Sequence, residues 1–476
     1  MIRSDDIPFE TATGVDNVAA IPDALLLEAA AEAARRSRPV VVGFTHAVPA
    51  FDPIAVFEQL VDEDGWGQLW LAPDGTALVG IGRVAVLESE GDDRFRSIQS
   101  QLDALFAAAK LDAEAGAQPV APVLLGGFAF YSDHRPDGLW RDFPAAQFVL
   151  PRLLYSRRGG KMSVTAFTVV EPGADLTAPP HVHGLSEADR GAFPRPSRNV
   201  ASPAHRADYE SWCRAVERLR EKIRQGPLEK AVLARSLEIS TGSVIHWGQT
   251  LTRLQRRYGD CYIFAVARGR RCFIGATPEQ LAKVDGRKLQ TMGLAGSIRR
   301  GREADEDAQL GAQLLADNKE LHEHALVVRA LQEGIAPLCA ELHIPAEGPG
   351  LRKLANVQHL YTPIRGTLHP DVSILDVVER IHPTPAVGGY PRQLALATIR
   401  RMEPTERGWY AGPVGWVDAS GAGEFAVAIR SALVDETTAN LFAGCGIVAG
   451  SNPDEEYAES ELKMSVLLNA LGGDRA

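Results

Sequence analysis

Cysteine is scarce in this chain: five among 476 residues, at Cys213, Cys261, Cys272, Cys339 and Cys445. The number is odd and no CxxC spacing occurs. That argues against a disulfide framework or a zinc site and fits buried free thiols in a reducing compartment. Positive charge is also in deficit. Lys and Arg total 50 against 61 Asp and Glu, a formal net charge of −11. Nonspecific nucleic-acid binding, which needs a basic footprint, is not expected, and an anionic ligand would need its own local lysine, arginine or metal charge. No apolar run reaches the ~20 residues that span a bilayer, so no membrane partner is expected. Met1-Ile-Arg-Ser-Asp-Asp lacks a basic and then apolar leader, and the chain reads as cytoplasmic. The sequence has no P-loop, no GxSxG, no catalytic Cys-His signature and no GxGxxG joining a strand to a helix.

What is present is enough apolar sequence for a sizeable core without staples. The N-terminal part alternates turns with strand-like runs at Val40–Phe44, Leu69–Leu71, Ala77–Gly80 and Val123–Phe130, with a helical stretch from about Ile98 to Lys110. A hairpin is expected from 150–155 and 162–170 around Arg157-Arg158-Gly159-Gly160. Glu171 to Ala204, rich in Pro, Ala, Asp and Arg without a clear period, is the best linker candidate. Tyr209, Trp212, Val216, Leu219 and Ile223 then mark an amphipathic helix closed by Gly226-Pro227. Strands are expected at 231–237, 261–267 and 272–275, and helices at about 303–317 and 320–338. Strands near 412–417, 424–434 and 441–448 lead into an acidic closing helix. The mixture of long antiparallel-type strands with a few helices predicts an α+β fold.

Several residues can carry chemistry. On the closing helix, Glu456, Glu459 and Lys463 fall within roughly a 60° arc. They follow a glycine-rich run and the Ser451-Asn452-Pro453 turn, and carboxylates so placed can hold a hard cation such as Mg²⁺. A solvated face with an i,i+4 Glu–Lys pair is the plain alternative. Lys230 heads the apolar run Lys-Ala-Val-Leu-Ala. If partly desolvated it can act as a general base, and otherwise it is a strand-end lysine. Glu279 follows Thr277-Pro278 and is expected in a turn or the first turn of a helix, where capping explains it as well as catalysis does. Glu323, in Lys319-Glu320-Leu321-His322-Glu323-His324, has the wrong spacing for HExxH zinc but suits a hard-metal site with Glu456 and Glu459. Arg430 ends an apolar strand and needs an anionic partner, either a structural carboxylate or a substrate carboxylate. Gly444 and Gly446 permit close backbone approach.

Taken in order, these motifs resemble the chorismate-utilising enzymes, the family of isochorismate, salicylate, anthranilate and aminodeoxychorismate synthases. The resemblance is dense from about Tyr209 to Leu471 and weaker around Gly126-Gly127-Phe128 and Phe148–Arg152. It implies one large α+β unit, a two-sheet antiparallel β-sandwich with helices outside and the site in a cleft. Residues 1–204 then form the N-terminal β-rich half and 205–476 the chorismate-binding catalytic half, with Glu171–Ala204 a surface crossing rather than a boundary. By the same resemblance, Glu323, Glu456 and Glu459 are metal ligands for Mg²⁺. Ser297, His359, Ala386, Val387, Tyr410, Arg430, Gly446 and Lys463 line the chorismate site. Lys230 resembles the base of the water-using members, which the ammonia-using ones generally lack, and Glu279 becomes the acid. His382-Pro383-Thr384-Pro385-Ala386-Val387-Gly388-Gly389 replaces the Pro-Ala-Gly-Thr type segment of the ammonia users, so no obligate glutaminase subunit is expected. The implied reaction is the Mg-dependent conversion of chorismate to isochorismate by water addition at C2 and loss of the C4 hydroxyl. Its setting is menaquinone synthesis, with a siderophore pathway, a salicylate synthase and a degenerate chorismate-binding protein as competing readings.

Overall fold

The computed structural model describes residues 20–61, 65–117, 119–174 and 205–472. Met1–Asp6 and nearly all of the Glu171–Ala204 stretch lie outside the described residues. Two sheets, one of twelve strands and one of ten, organise the molecule. Pairing is antiparallel, apart from the parallel contact of Val40–Ala47 with Lys110–Ala113. Both sheets draw strands from either side of residue 204. The fold is α+β, as the mixture of periods suggested.

The central strands Tyr262–Arg268 and Arg271–Thr277 are buried along their whole length, because one face meets the other sheet and the opposite face meets helices. Aromatic rings fill the space between the sheets, with Phe128, Phe148, Phe273, Phe425 and Trp140 in one cluster. A second cluster lies under Trp247–Arg257 and the closing helix Pro453–Gly472. The stripe Trp212, Val216, Leu219 and Ile223 of helix His205–Gln225 is buried against Leu233 and Ile447. Tyr209 leaves that stripe: it is 37% exposed, and its hydroxyl donates to Asp454 Oδ1 at 2.5 Å.

Two ribbons pass from one sheet to the other. Ala77–Ile81 and Leu153–Arg158 pair in the twelve-stranded sheet, and their continuations Ala85–Ser89 and Ala146–Leu150 pair in the ten-stranded one. Arg271–Thr277 and Ser431–Asp435 likewise pair in the first sheet, and Gln280–Asp285 and Gly423–Val427 in the second. Each crossing is riveted by two backbone bonds. Val84 N donates to Leu150 O at 2.8 Å and Arg152 N to Ile81 O at 3.0 Å; Ala276 N donates to Arg430 O at 3.1 Å and Val427 N to Glu279 O at 3.0 Å.

Three sequence expectations are corrected, the first two by the second crossing. The strand expected over 424–434 is two strands, broken at 428–430 where the chain changes sheets. Arg430 adopts φ 50° there, in the left-handed region. Glu279 opens no helix. Thr277 Oγ1 accepts its amide at 3.3 Å, and the bend leads into a six-residue strand closed by Gly286 at φ 56°, too short a segment for a helix. The helix expected over Ile98–Lys110 spans Arg94–Phe106, and Lys110 begins an edge strand.

Candidate active site

The second crossing brings Glu279 and Arg430 to one place. Glu279 is 5% exposed. Burial pushes its carboxyl up to about 7, against the pull of Lys230, Arg430 and Lys463. It can therefore hold a proton near neutral pH. Arg430 is buried too, and among the described residues no carboxylate forms an ion pair with it. A buried guanidinium without an ion-pair partner, on strained backbone, has the chemistry to receive an anion brought from outside.

Lys230 is fully buried at the start of Lys230–Ser240, between Gly389–Tyr390 and Thr438–Ile447. Its Nζ lies 2.8 Å from Glu323 Oε1. The contact is electrostatic rather than an aligned hydrogen bond, and Nζ has no other partner among the described residues. Gly446 makes room for this pair. A Cβ there would stand 2.6 Å from Glu323 Oε1 and 2.8 Å from Lys230 Cε. At Gly444 a Cβ would lie 3.1 Å from both Leu233 O and the Tyr410 hydroxyl.

Two helices supply an acidic wall. Asn318–Ile335, capped by Asp317 through the amides of Lys319 and Glu320, presents Glu320 and Glu323. The closing helix presents Glu456 and Glu459. Ser297 joins them: its hydroxyl donates to Glu459 Oε1 at 2.6 Å and its amide to Glu320 Oε2 at 3.1 Å. Lys463 Nζ is 3.0 Å from Glu459 Oε1 and donates to Gly444 O at 2.8 Å. Lys319 Nζ lies 3.4 Å from Glu456 Oε1 and 3.5 Å from Glu320 Oε1. Burial and neighbouring carboxylates push Glu320 and Glu456 up to about 7. Burial acts to raise Glu459 as well, but Lys463, the Ser297 hydroxyl and Arg430 hold it down at about 2. Ligand atoms of Cys445, Glu456 and Glu459 lie within 4.8 Å of one another. Cys445 Sγ is already engaged with Glu456 O at 3.1 Å. Glu323, the third predicted ligand, falls outside that group, its Oε1 being held by Lys230; the carboxylate oxygens of Glu456 and Glu459 are donors of the kind that suits a hard divalent cation.

The remaining predicted residues line the same region. His359 stands opposite Ser297 in the strand pair Lys288–Arg299 and Val357–Leu368. Its Nδ1 is 3.3 Å from Gly296 O, and its buried Nε2 has no partner. Burial, Arg430 and Lys463 push it down to about 3, so the ring is neutral and Nε2 is a bare acceptor. Tyr410 is buried and pushed up to about 12 by burial, which keeps its hydroxyl a donor. Its ring stacks on Phe442 at 5.2 Å, and Phe442 stacks on Trp140 at 5.5 Å. Ala386 and Val387 sit in the loop leading to Gly389–Tyr390, whose backbone pairs with Lys230 and Ala231.

Sequence reasoning passed over Glu320 and Lys319 as site residues. The available signal was the i,i+3 spacing of Glu320 and Glu323, which puts two acids on one helix face.

The sequence profile of the family "Chorismate binding enzyme" matches residues 27–472. A Pseudomonas aeruginosa protein named salicylate biosynthesis isochorismate synthase is 38% identical over 444 residues, covering 92% of this chain and 92% of the relative. Bacillus subtilis isochorismate synthase MenF is 35% identical over 465 residues, 94% of this chain and 97% of the relative. The solved structure of MenF, the menaquinone-specific isochorismate synthase of Escherichia coli, superposes with a TM-score of 0.73 at 25% identity, covering 94% of this chain and all of that one. The profile match over residues 27–472 and identities of 38% and 35% across more than nine-tenths of the chain show that it belongs to the chorismate-binding enzyme family.

Proposed function

We propose that this enzyme is an isochorismate synthase, converting chorismate to isochorismate with Mg²⁺. The observation that carries the reading is a buried carboxyl at the sheet crossing, raised to about 7 by burial, that feels the charge of the buried lysine heading strand Lys230–Ser240. Lys230 takes the proton of the water that attacks C2. Glu279, protonated near neutral pH, gives its proton to the departing C4 hydroxyl. Water in and water out leave the composition unchanged, as an isomerisation requires. Acid and base must hold opposite protonation states at one pH, and burial of Glu279 supplies its half of that separation. Arg430 and the Tyr410 hydroxyl bind one substrate carboxylate, and the neutral His359 offers Nε2 as an acceptor to a substrate hydroxyl.

Glu323, Glu456 and Glu459, with Glu320 beside them, hold the cation. When bound, Mg²⁺ supplies positive charge for the ring carboxylate on a wall that otherwise repels it. Lys230 favours water over ammonia as the nucleophile, so no glutaminase subunit is needed. Five free cysteines support a reducing, cytoplasmic setting. Residues 205–476 carry all the proposed site residues.

The pathway is read as menaquinone synthesis, supported by coverage of 97% of the B. subtilis MenF sequence. The 38% identity to the P. aeruginosa relative supports a salicylate or siderophore setting as the competing reading. Chromatography of products from chorismate tests the activity: isochorismate is expected with Mg²⁺ and not after chelation. Salicylate with pyruvate would point to a salicylate synthase, and binding without turnover to a degenerate protein. Rescue of a menaquinone auxotroph lacking its isochorismate synthase tests the pathway.

A further inference from the structure

The sheet edge beside Lys230 ends early. Gly389–Tyr390 pairs only with Lys230 and Ala231, and Val232 N reaches Gly388 O at 2.8 Å. Past that point the carbonyl of Val232 and the amide of Ala234 face an edge with no neighbouring strand. Two side chains stand in for one. Arg407 donates from Nη2 to Val232 O at 2.9 Å and from Nη1 to Val387 O at 2.7 Å. Glu403 Oε1 accepts from Ala234 N at 2.7 Å. The two residues join each other through Nε to Oε2 at 2.9 Å and Nη2 to Oε1 at 2.5 Å. Their side chains are 2% and 5% exposed, and the guanidinium lies 4.2 Å from the Phe130 ring centre.

A buried ion pair is a costly way to satisfy two backbone groups, unless its geometry matters. Here the geometry links three pieces of the site: the strand that begins at Lys230, the loop that carries Ala386 and Val387, and the end of helix Arg392–Met402. The planar fork of Arg407 contacts two carbonyls and a carboxylate at once, which a lysine ammonium cannot reproduce in the same plane.

We propose that the Arg407–Glu403 pair positions the base: it locks the start of Lys230–Ser240 to the Ala386–Val387 loop, so that Lys230 and the substrate wall keep a fixed separation. The proposal rests on reading Lys230 as the base. Neither residue is catalytic in it; both act through backbone.

The test is the pair of variants Arg407→Lys and Glu403→Gln, assayed with chorismate and Mg²⁺. A displacement of the base by about 1 Å costs roughly 100-fold. The expected result for Arg407→Lys is therefore a fall in kcat of about 30- to 300-fold, with KM changed less than about threefold and the pH profile of kcat displaced. Glu403→Gln, which keeps the acceptor oxygen, should fall between this and wild type. A lower melting temperature with unchanged kcat and pH profile overturns the proposal. If Arg407→Lys does not fold, Glu403→Gln decides by the same readouts. Amide exchange at Val232 and Ala234 supplies a readout independent of turnover: faster exchange in the variants is expected, and unchanged protection overturns the bracket. A wild-type chain that makes no isochorismate overturns the functional reading, while the exchange result still judges the bracket.

Discussion

The two sheet crossings are built alike and filled differently. In both, a pair of neighbouring strands changes sheets together, held by two reciprocal backbone bonds. At the first, the crossing is closed by packing around Trp66, with Arg83 on its exposed side. Trp66 carries two guanidinium groups, Arg83 and Arg268, each 4.4 Å from its ring centre. The crevice bounded by Trp66, Gly80, Pro151 and Arg268 has no room for a water molecule. At the second, the crossing residues are Glu279 and Arg430, which form no ion pair with each other. Beside them stand Lys230, Lys463 and the acidic wall. A sheet crossing frees backbone and side chains from regular pairing; at one site that freedom is consumed by packing, and at the other it leaves charged side chains for the proposed ligand site.

The contrast can be broken by substitution, and the largest effects belong to the second crossing. Lys230→Ala or Glu279→Gln should lower kcat by about 10²–10⁴-fold, the range of general acid–base catalysis, with secondary structure intact by circular dichroism. Near-wild-type turnover in either would sink the assigned roles. Next is Gly446→Ala. Its Cβ would force apart the Lys230–Glu323 contact, and a loss of about 100-fold in kcat is expected with little change in melting temperature. A stability loss without a rate loss would make Gly446 a packing residue only.

The third prediction concerns pH. Glu279 in the fold sits at about 7, above its ordinary 4.5, so the folded chain holds this proton over a window where the unfolded chain releases it. Stability from this group is therefore present below pH 4.5, declines through that window and stays low above it. Glu279→Gln, neutral throughout, should match wild type near pH 4 and exceed it at pH 8 by on the order of 1–3 kcal/mol in denaturant melts. Over the same range, wild-type kcat/KM should fall as pH rises past about 7. An equal stability difference at both pH values would refute the raised carboxyl. The smallest effect lies at the first crossing: Arg83→Ala should cost about 0.5–1 kcal/mol of stability and leave kcat within about twofold. A large rate loss there would erase the distinction between the crossings.

Much of the site was legible because its residues sit in strong local contexts. Lys230 opens an apolar run, Arg430 interrupts one, and Glu456, Glu459 and Lys463 share a helix face. The crossings were not legible. A strand that changes sheets keeps its apolar pattern through the bend, so 424–434 read as one strand. Thr277-Pro278-Glu279 likewise carries the same signals whether a helix or a bend follows. The Arg407–Glu403 bracket was equally hidden, because an i,i+4 ion pair on paper is a solvated helix face in most proteins. Only the short edge strand at Gly389–Tyr390, which leaves backbone groups to be satisfied, gives it a purpose.

The ring column described at the site has an optical consequence. Tyr410 lies on Phe442, and Phe442 on Trp140, so the hydroxyl proposed to bind a substrate carboxylate is two ring contacts away from an indole shut inside the core. A tilt of Tyr410 on substrate binding would reach that indole through ring contacts alone. On the proposed role of Tyr410, the emission that distinguishes wild type from Trp140→Phe should change when chorismate binds, before any product is formed.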